Sequence, residues 1–174
     1  MGKHGIAYSP ALPIIDVRQQ GGGTVVKRLF GTDSDLSSFI LRVLLGIVFF
    51  PHGAQKVFGW FGGAGFGGTM TAFTEKLGIP AFFAFLAVLA ESLGSVCLIA
   101  GFLTRVAAFG IACNMVVAVF MLHLKNGFFM NWFGKQQGEG FEYHILVVAI
   151  TLALMIKGGG IWSVDGALTR NKDH

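Results

Sequence analysis

The stretch Ile79–Phe102, IPAFFAFLAVLAESLGSVCLIAGF, decides the fold class of this chain. Its only formal charge is Glu91, near the middle. A helix that spans a membrane needs about 20 mostly apolar residues, so the stretch predicts one. A carboxylate in hydrocarbon is costly unless it faces the interior of a helix bundle, where it is paired, protonated or engaged in proton transfer. Glu91 is therefore the first candidate functional residue.

Three other stretches are also apolar, and the composition agrees with a membrane protein. The chain is 53% hydrophobic and 13% charged, with a mean hydropathy of +0.67, whereas soluble proteins are about 25% charged. We predict an all-α, polytopic membrane four-helix bundle with helices at about 39–58, 79–102, 106–124 and 142–157. The bundle domain covers 36–168, between a polar N-terminal tail (1–35) and a C-terminal tail (169–174).

Local signals refine this prediction. Ser37 and Ser38 are candidate N-caps for the first helix. Residues 59–68, GWFGGAGFGG, contain six glycines, which argue against a simple helix and predict an interfacial or re-entrant loop. Residues 106–122 are interpreted as an uninterrupted apolar run that forms the third helix.

The orientation follows from the basic residues, because Lys and Arg are more frequent in cytoplasmic loops. The side that holds both tails and Arg105 carries eight basic residues and the other side four, so both termini are predicted to be cytoplasmic.

Several function classes are disfavoured by the sequence. A net charge of +4 is too small and too dispersed for nucleic-acid binding. The glycine-rich stretch matches no nucleotide-binding motif. Cys97 and Cys113 both lie in apolar runs, so no disulfide framework is predicted, although they are expected at similar depth on antiparallel helices. Haem or metal ligation is disfavoured, because no HxxxH, ExxH or CxxCH motif occurs.

The predicted topology gathers polar residues near one end of the bundle. We expect an outward-facing pocket with Glu91 as its floor and aromatic walls that include Trp60. Glu91, His52 and Glu142 are the candidate catalytic residues that manage protons. His52 and Lys56 share a helix face because they are four positions apart. The remaining candidate ligand-binding residues are Lys56, His123, Tyr143 and His144.

Structural alternatives stand beside these roles. Glu91 is alternatively neutral and hydrogen-bonded to a neighbouring helix, or paired with Arg42. Lys56 alternatively extends its amine to the interface, as lysines near helix ends do. Glu142 and His144 are about 200° apart on a helix, so one of them is expected to point away from the pocket; Glu142 is ranked first for it.

The motifs resemble those of the DoxX family of small four-helix bacterial inner-membrane proteins. The resemblance runs from about Leu36 to Leu168 and rests on these segments: HGAQK (52–56), FGWFGG (58–63), ESLG (91–94), GFLTR (101–105), GFFMNW (127–132), GEGFEYH (138–144) and WSVD (162–165). It implies the inner membrane as location and an association with redox work, either in sulfur-compound oxidation with quinone as the acceptor or in membrane oxidoreductase assemblies. A fold-level resemblance supplies no substrate.

Three functions remain open at this point. The preferred hypothesis is a membrane subunit of an oxidoreductase or electron-transfer system, with a polar site for a quinone-like or other small redox partner. The second is a non-catalytic assembly or stabilising subunit of a larger membrane complex. The third is a pathway for small solutes or protons. The expected partners are membrane lipid and either a protein of an electron-transfer complex or further copies of the chain.

Overall fold

The computed structural model describes residues 30–32 and 35–170, and these residues form helices and loops without a strand. Four long helices account for the bundle: α1 (Leu36–Phe58), α3 (Ala81–Ala100), α4 (Thr104–Ala118) and α5 (Glu142–Lys157). A shorter α2 (Gly65–Thr71) follows α1, and α6 (Val164–Arg170) follows α5. The predicted tails 1–35 and 169–174 lie largely outside the described residues.

The helical path of α4 continues past its α-helical part. A π-helical turn (Val119–His123) and a 3₁₀ turn (Leu124–Asn126) extend it, so the whole segment is Thr104–Asn126. Three segments are long and apolar enough to cross a membrane: Leu36–Phe58, Ala81–Ala100 and Thr104–Asn126. α5 is shorter than these three segments, because its 16 residues form about 24 Å of helix. The crossing of all four helices therefore stays a prediction.

The long helices run antiparallel to their neighbours around one core. α1 packs on α3, α3 on α4, and α4 on α5. The core contains apolar side chains from all four: Leu45, Phe49, Leu98, Ile111, Met115, Val147 and Leu154. In each candidate span, at most 33% of the most apolar 18-residue stretch is buried in the bundle. Most of its apolar surface therefore faces outward. We call the end that holds Phe58, Ala81 and Glu142 the distal end, and the opposite end the proximal end.

One local prediction is wrong, and another holds only in part. The N-cap of α1 is Asp35, whose carboxylate accepts a hydrogen bond from the Ser37 amide, rather than Ser37 or Ser38. The glycine-rich stretch 59–68 contains a 3₁₀ turn at Trp60–Gly62 and the start of α2 at Gly65. Glycine disfavours a helix by about 1 kcal/mol per residue, and here the packing of α2 against α1 offsets that preference.

Candidate functional site

An ion pair joins α1 to α3 in the distal half of the bundle. The Lys56 Nζ lies 2.5 Å from the Glu91 Oε2, and the two side chains are only 21% and 12% exposed. Lys56 lies near the C-terminal end of α1, whereas Glu91 is the eleventh residue of α3. The predicted charge in the bundle interior is therefore paired, and its partner is Lys56 rather than Arg42.

Gly53 allows this approach. A Cβ atom on Gly53 would lie 2.5 Å from the Ser92 Cα and 2.7 Å from the Glu91 carbonyl oxygen, so any side chain here would push the two helices apart. Lys56 is one helical turn further along α1, on the same side. The glycine thus sets the interhelical distance that the ion pair needs.

Asn114 of α4 completes the polar cluster around Glu91. Its Nδ2 donates to the Ala87 carbonyl oxygen at 2.8 Å and to the Glu91 Oε1 at 3.4 Å. The apolar run 106–122 is therefore interrupted, and sequence reasoning missed this residue. The signal was present, because a lone amide side chain inside a membrane helix normally hydrogen-bonds to a neighbouring helix. Lys56, Glu91 and Asn114 together form what we call the charged cluster.

A second group of side chains, the histidine cluster, lies where α4 and α5 meet at the distal end. The rings of His123 and His144 are 4.2 Å apart between centroids, and those of Tyr143 and His144 are 5.8 Å apart. His144 is 6% exposed. The His144 Nδ1 and the Tyr143 hydroxyl are buried without a hydrogen-bond partner among the described residues.

Among the described residues, no hydrogen bond, ion pair or ring contact joins His52 or Trp60 to these clusters. His52 is exposed, and its ring lies 6.1 Å from that of Phe49. Trp60 is 53% exposed and packs beside Phe58, with 5.2 Å between ring centroids. A catalytic role for His52 and a binding role for Trp60 stay predictions.

Glu142 holds the loop that precedes α5. Its Oε1 accepts hydrogen bonds from the Met130 amide at 3.0 Å and from the Trp132 Nε1 at 3.2 Å. His144, two positions later, is buried and faces His123. The two side chains therefore diverge as the helix geometry predicts, but His144 rather than Glu142 lies on the inner side, which is the reverse of the predicted ranking. The catalytic role of Glu142 stays a prediction.

Among residues 30–32 and 35–170, no group of three or more His, Cys, Asp or Glu side chains is arranged to hold a metal ion.

The two cysteines, Cys97 and Cys113, lie at different depths in the bundle, contrary to the prediction. Gly110 packs on Ala90 and Asn114 bonds to Ala87, so Cys113 lies opposite the first turns of α3 rather than opposite Cys97.

Comparison with known proteins identifies the family of the chain. The sequence pattern of the DoxX family matches residues 37–124, which is half of the chain. The chain belongs to the DoxX family. The matched part contains His52, Lys56, Glu91, Asn114 and His123. Tyr143 and His144 of the histidine cluster follow it.

Two curated relatives of this DoxX chain extend the comparison. "Putative oxidoreductase CatD" of Bacillus subtilis (strain 168) is 31% identical over 120 residues, which cover 69% of this chain and 79% of CatD. "Inner membrane protein YqjF" of Escherichia coli (strain K12) is 27% identical over 136 residues, which cover 78% of this chain and 95% of YqjF. No solved structure matches the chain. With the apolar helices, these findings make it a membrane protein.

The proximal end of this DoxX fold is closed by two buried charged residues. The Arg42 guanidinium donates to five backbone carbonyl oxygens, which belong to Leu98, Ile99, Gly159, Ile161 and Trp162. The Asp165 carboxylate accepts from the amides of Leu103 and Thr104 at the start of α4. Backbone groups satisfy these charges, so the GFLTR and WSVD motifs have a structural role.

Proposed function

We propose that this protein is a subunit of an oxidoreductase system in the bacterial inner membrane. All four long helices cross the membrane and both termini are cytoplasmic, so the distal end faces outward. The charged cluster and the histidine cluster form its site, which binds a quinone-like or other small redox partner. The name of CatD supports the redox class, and the name of YqjF supports the location.

The observation that carries this proposal is that the bundle contains both a buried ion pair and buried polar atoms that have no hydrogen-bond partner among the described residues. Lys56 and Glu91 neutralise each other, so the site favours a ligand without net charge. The Tyr143 hydroxyl and the His144 Nδ1 are buried and free to bind oxygen atoms of such a ligand. A quinone presents two carbonyl oxygens on an apolar ring, which fits a site of this kind.

The residues supply protons rather than electrons. Reduction of a quinone to a quinol takes up two electrons and two protons. No set of side chains in this chain carries electrons by itself, so they come from a partner protein or its cofactor. In the proposed site, Tyr143 and His144 hydrogen-bond the oxygens, and the Lys56–Glu91 pair holds a proton for transfer. His52 and Glu142 remain candidates for its path to the outer surface.

Gentle purification of the native protein tests the proposal. Quinone extraction, a reduced-minus-oxidised spectrum, metal analysis and identification of co-purifying chains are performed on one sample. We expect quinone at near-unit occupancy in the wild type and its loss in Glu91→Gln. Glu75→Gln is the matched control, since Glu75 is exposed on the turn after α2. Equal quinone in wild type and Glu91→Gln, or none in either, contradicts the proposal.

One outcome of the same experiment favours the accessory role. A bundle without quinone that is recovered in fixed ratio with a larger complex would make the chain an assembly subunit. Its exposed aromatic side chains at the distal end, such as Trp132 at 80% and Phe133 at 86%, would then be the contact surface to examine. Proton flux in liposomes that disappears in Glu91→Gln would instead favour the pathway for protons.

A further inference from the structure

An apolar groove runs along the outer side of the seam between α3 and α4. Its volume is about 580 Å³. The residues that line it run from Ile79 to Leu103, so the groove follows the whole of α3, a helix about 30 Å long. Small residues form its floor, because Ala90 and Gly110 bring the two helices together. Phe83 and Phe109, 60% and 56% exposed, form its edges and leave it open to the surrounding hydrocarbon.

The lining of the groove favours an uncharged hydrocarbon chain as its ligand. None of the described residues that line it is charged, and Asn114 is the one amide side chain among them. A long hydrocarbon chain loses little by leaving lipid for such a surface and gains close packing there. Since the lining is neutral throughout, nothing in the groove would compensate a charged headgroup.

Asn114 connects the groove to the charged cluster. Its Nδ2 binds the Ala87 carbonyl and Glu91, whereas its Oδ1 accepts no hydrogen bond from the described residues. Ala87 is six residues into α3, about 9 Å from the distal end of that helix. A phospholipid headgroup at this depth would bring its phosphate next to the Glu91 carboxylate, which disfavours a phospholipid whose head lies beside Asn114. The hydroxyl group of a quinol, the reduced form of a quinone, could donate to the Asn114 Oδ1.

We propose that this groove holds the hydrocarbon tail of the redox partner, whose head lies at Asn114 beside Glu91. The inference rests on the proposed function and narrows it: the partner is a long-chain, lipid-soluble molecule that enters laterally from the membrane between α3 and α4. A small water-soluble redox compound would make no use of the groove.

Two probes and two variants of the full-length protein test this inference. The probes are a benzoquinone with an isoprenoid tail and the same benzoquinone without one; bound probe is quantified after equilibration in detergent. We expect the tailed probe to bind at least tenfold more tightly to the wild type. Cys113→Phe fills the groove and should reduce this preference to less than twofold. Val116→Phe adds comparable bulk on an exposed position outside the groove and should leave it unchanged.

A measurement on the wild type keeps the test decisive if Cys113→Phe does not fold. Cys113 is exposed in the groove, so a lipid-soluble maleimide should label it. Mass spectrometry should show that the tailed probe slows labelling at Cys113 and that the tail-less probe does not. Equal binding of both probes, or equal loss in both variants, overturns the inference and leaves the proposed function standing. Binding of neither probe overturns both.

Discussion

The Lys56 ammonium and the Glu91 carboxylate form an ion pair, 2.5 Å between Nζ and Oε2, that links α1 to α3 inside an apolar bundle. Removal of one partner from a buried pair leaves the other charge without compensation, whereas removal of both together costs much less. The pair therefore has a structural role that can be measured separately from any role in proton transfer.

A double-mutant cycle measures that structural role. Lys56→Met and Glu91→Leu should each lower the free energy of unfolding by about 2 kcal/mol, less than the roughly 3–5 kcal/mol for a fully buried pair, because both side chains are slightly exposed. The double variant should be more stable than either single variant. Unfolding in mixed micelles provides the measurement, and strictly additive effects would show that the two charges are not coupled.

Substitution of Gly53 tests the close approach of the helices. Gly53→Ala places a Cβ atom 2.5 Å from the Ser92 Cα, and we expect a loss of about 2 kcal/mol together with weaker quinone binding. Gly67→Ala is the matched control, because a Cβ atom there would meet no other atom within 4 Å. Thermal unfolding and quinone retention of the two variants are compared. An equal effect at both positions would contradict the assigned role of Gly53.

Arg42 tests the closure of the proximal end. The residue is 1% exposed and donates to carbonyl oxygens of α3 and of the segment after α5. Arg42→Lys keeps the charge but loses the planar fork of donors, so several buried acceptors remain unsatisfied, and we expect a loss of about 3 kcal/mol or more. Unfolding measurements should show this loss with the Lys56–Glu91 coupling unchanged. Wild-type stability in Arg42→Lys would refute it.

Asp35 gives the protein an acid-sensitive contact. Its carboxylate accepts from Lys157 at 2.8 Å and from Ser37, and these interactions hold its pKa well below the ordinary range. A carboxyl with a lowered folded-state pKa adds stability above its unfolded pKa of about 3.9, and that contribution is lost as the pH falls towards the folded value. Asp35→Asn should therefore be less stable than wild type at pH 7, and the difference should shrink below about pH 4.

Glu142 distinguishes a loop-holding role from a role in proton transfer. Glu142→Ala removes the acceptor for the Met130 amide and the Trp132 indole, and we expect greater acrylamide quenching of Trp132 fluorescence, measured with Trp60 and Trp162 replaced by Phe. Glu142→Gln keeps an acceptor oxygen and should preserve the loop. Loss of quinone reduction in Glu142→Gln with an intact loop would assign the carboxyl a part in proton transfer.

The sequence was informative where a single polar residue lies in an otherwise apolar stretch. Glu91 stands out because a charge in an apolar stretch needs a compensating partner, and the structure provides one. Asn114 carries the same signal more weakly and was overlooked, since an amide changes the hydropathy of a run only slightly. The choice between Lys56 and Arg42 as the partner of Glu91 depended on the register of α1 against α3, which hydropathy does not encode. Gly53 shows the same limit, because its function depends on the backbone opposite it.

By itself, the sequence determined the all-helical class, the apolar spans and the end of the bundle at which its polar residues lie, because these depend on composition and on the length of apolar runs. Only the tertiary structure decided which polar groups meet. It paired Lys56 with Glu91, directed Arg42 to backbone carbonyls and placed His144 against His123. Hydrogen bonds and ion pairs depend on ångström-scale distances between helices, and those distances follow from how small and large side chains interlock across each interface.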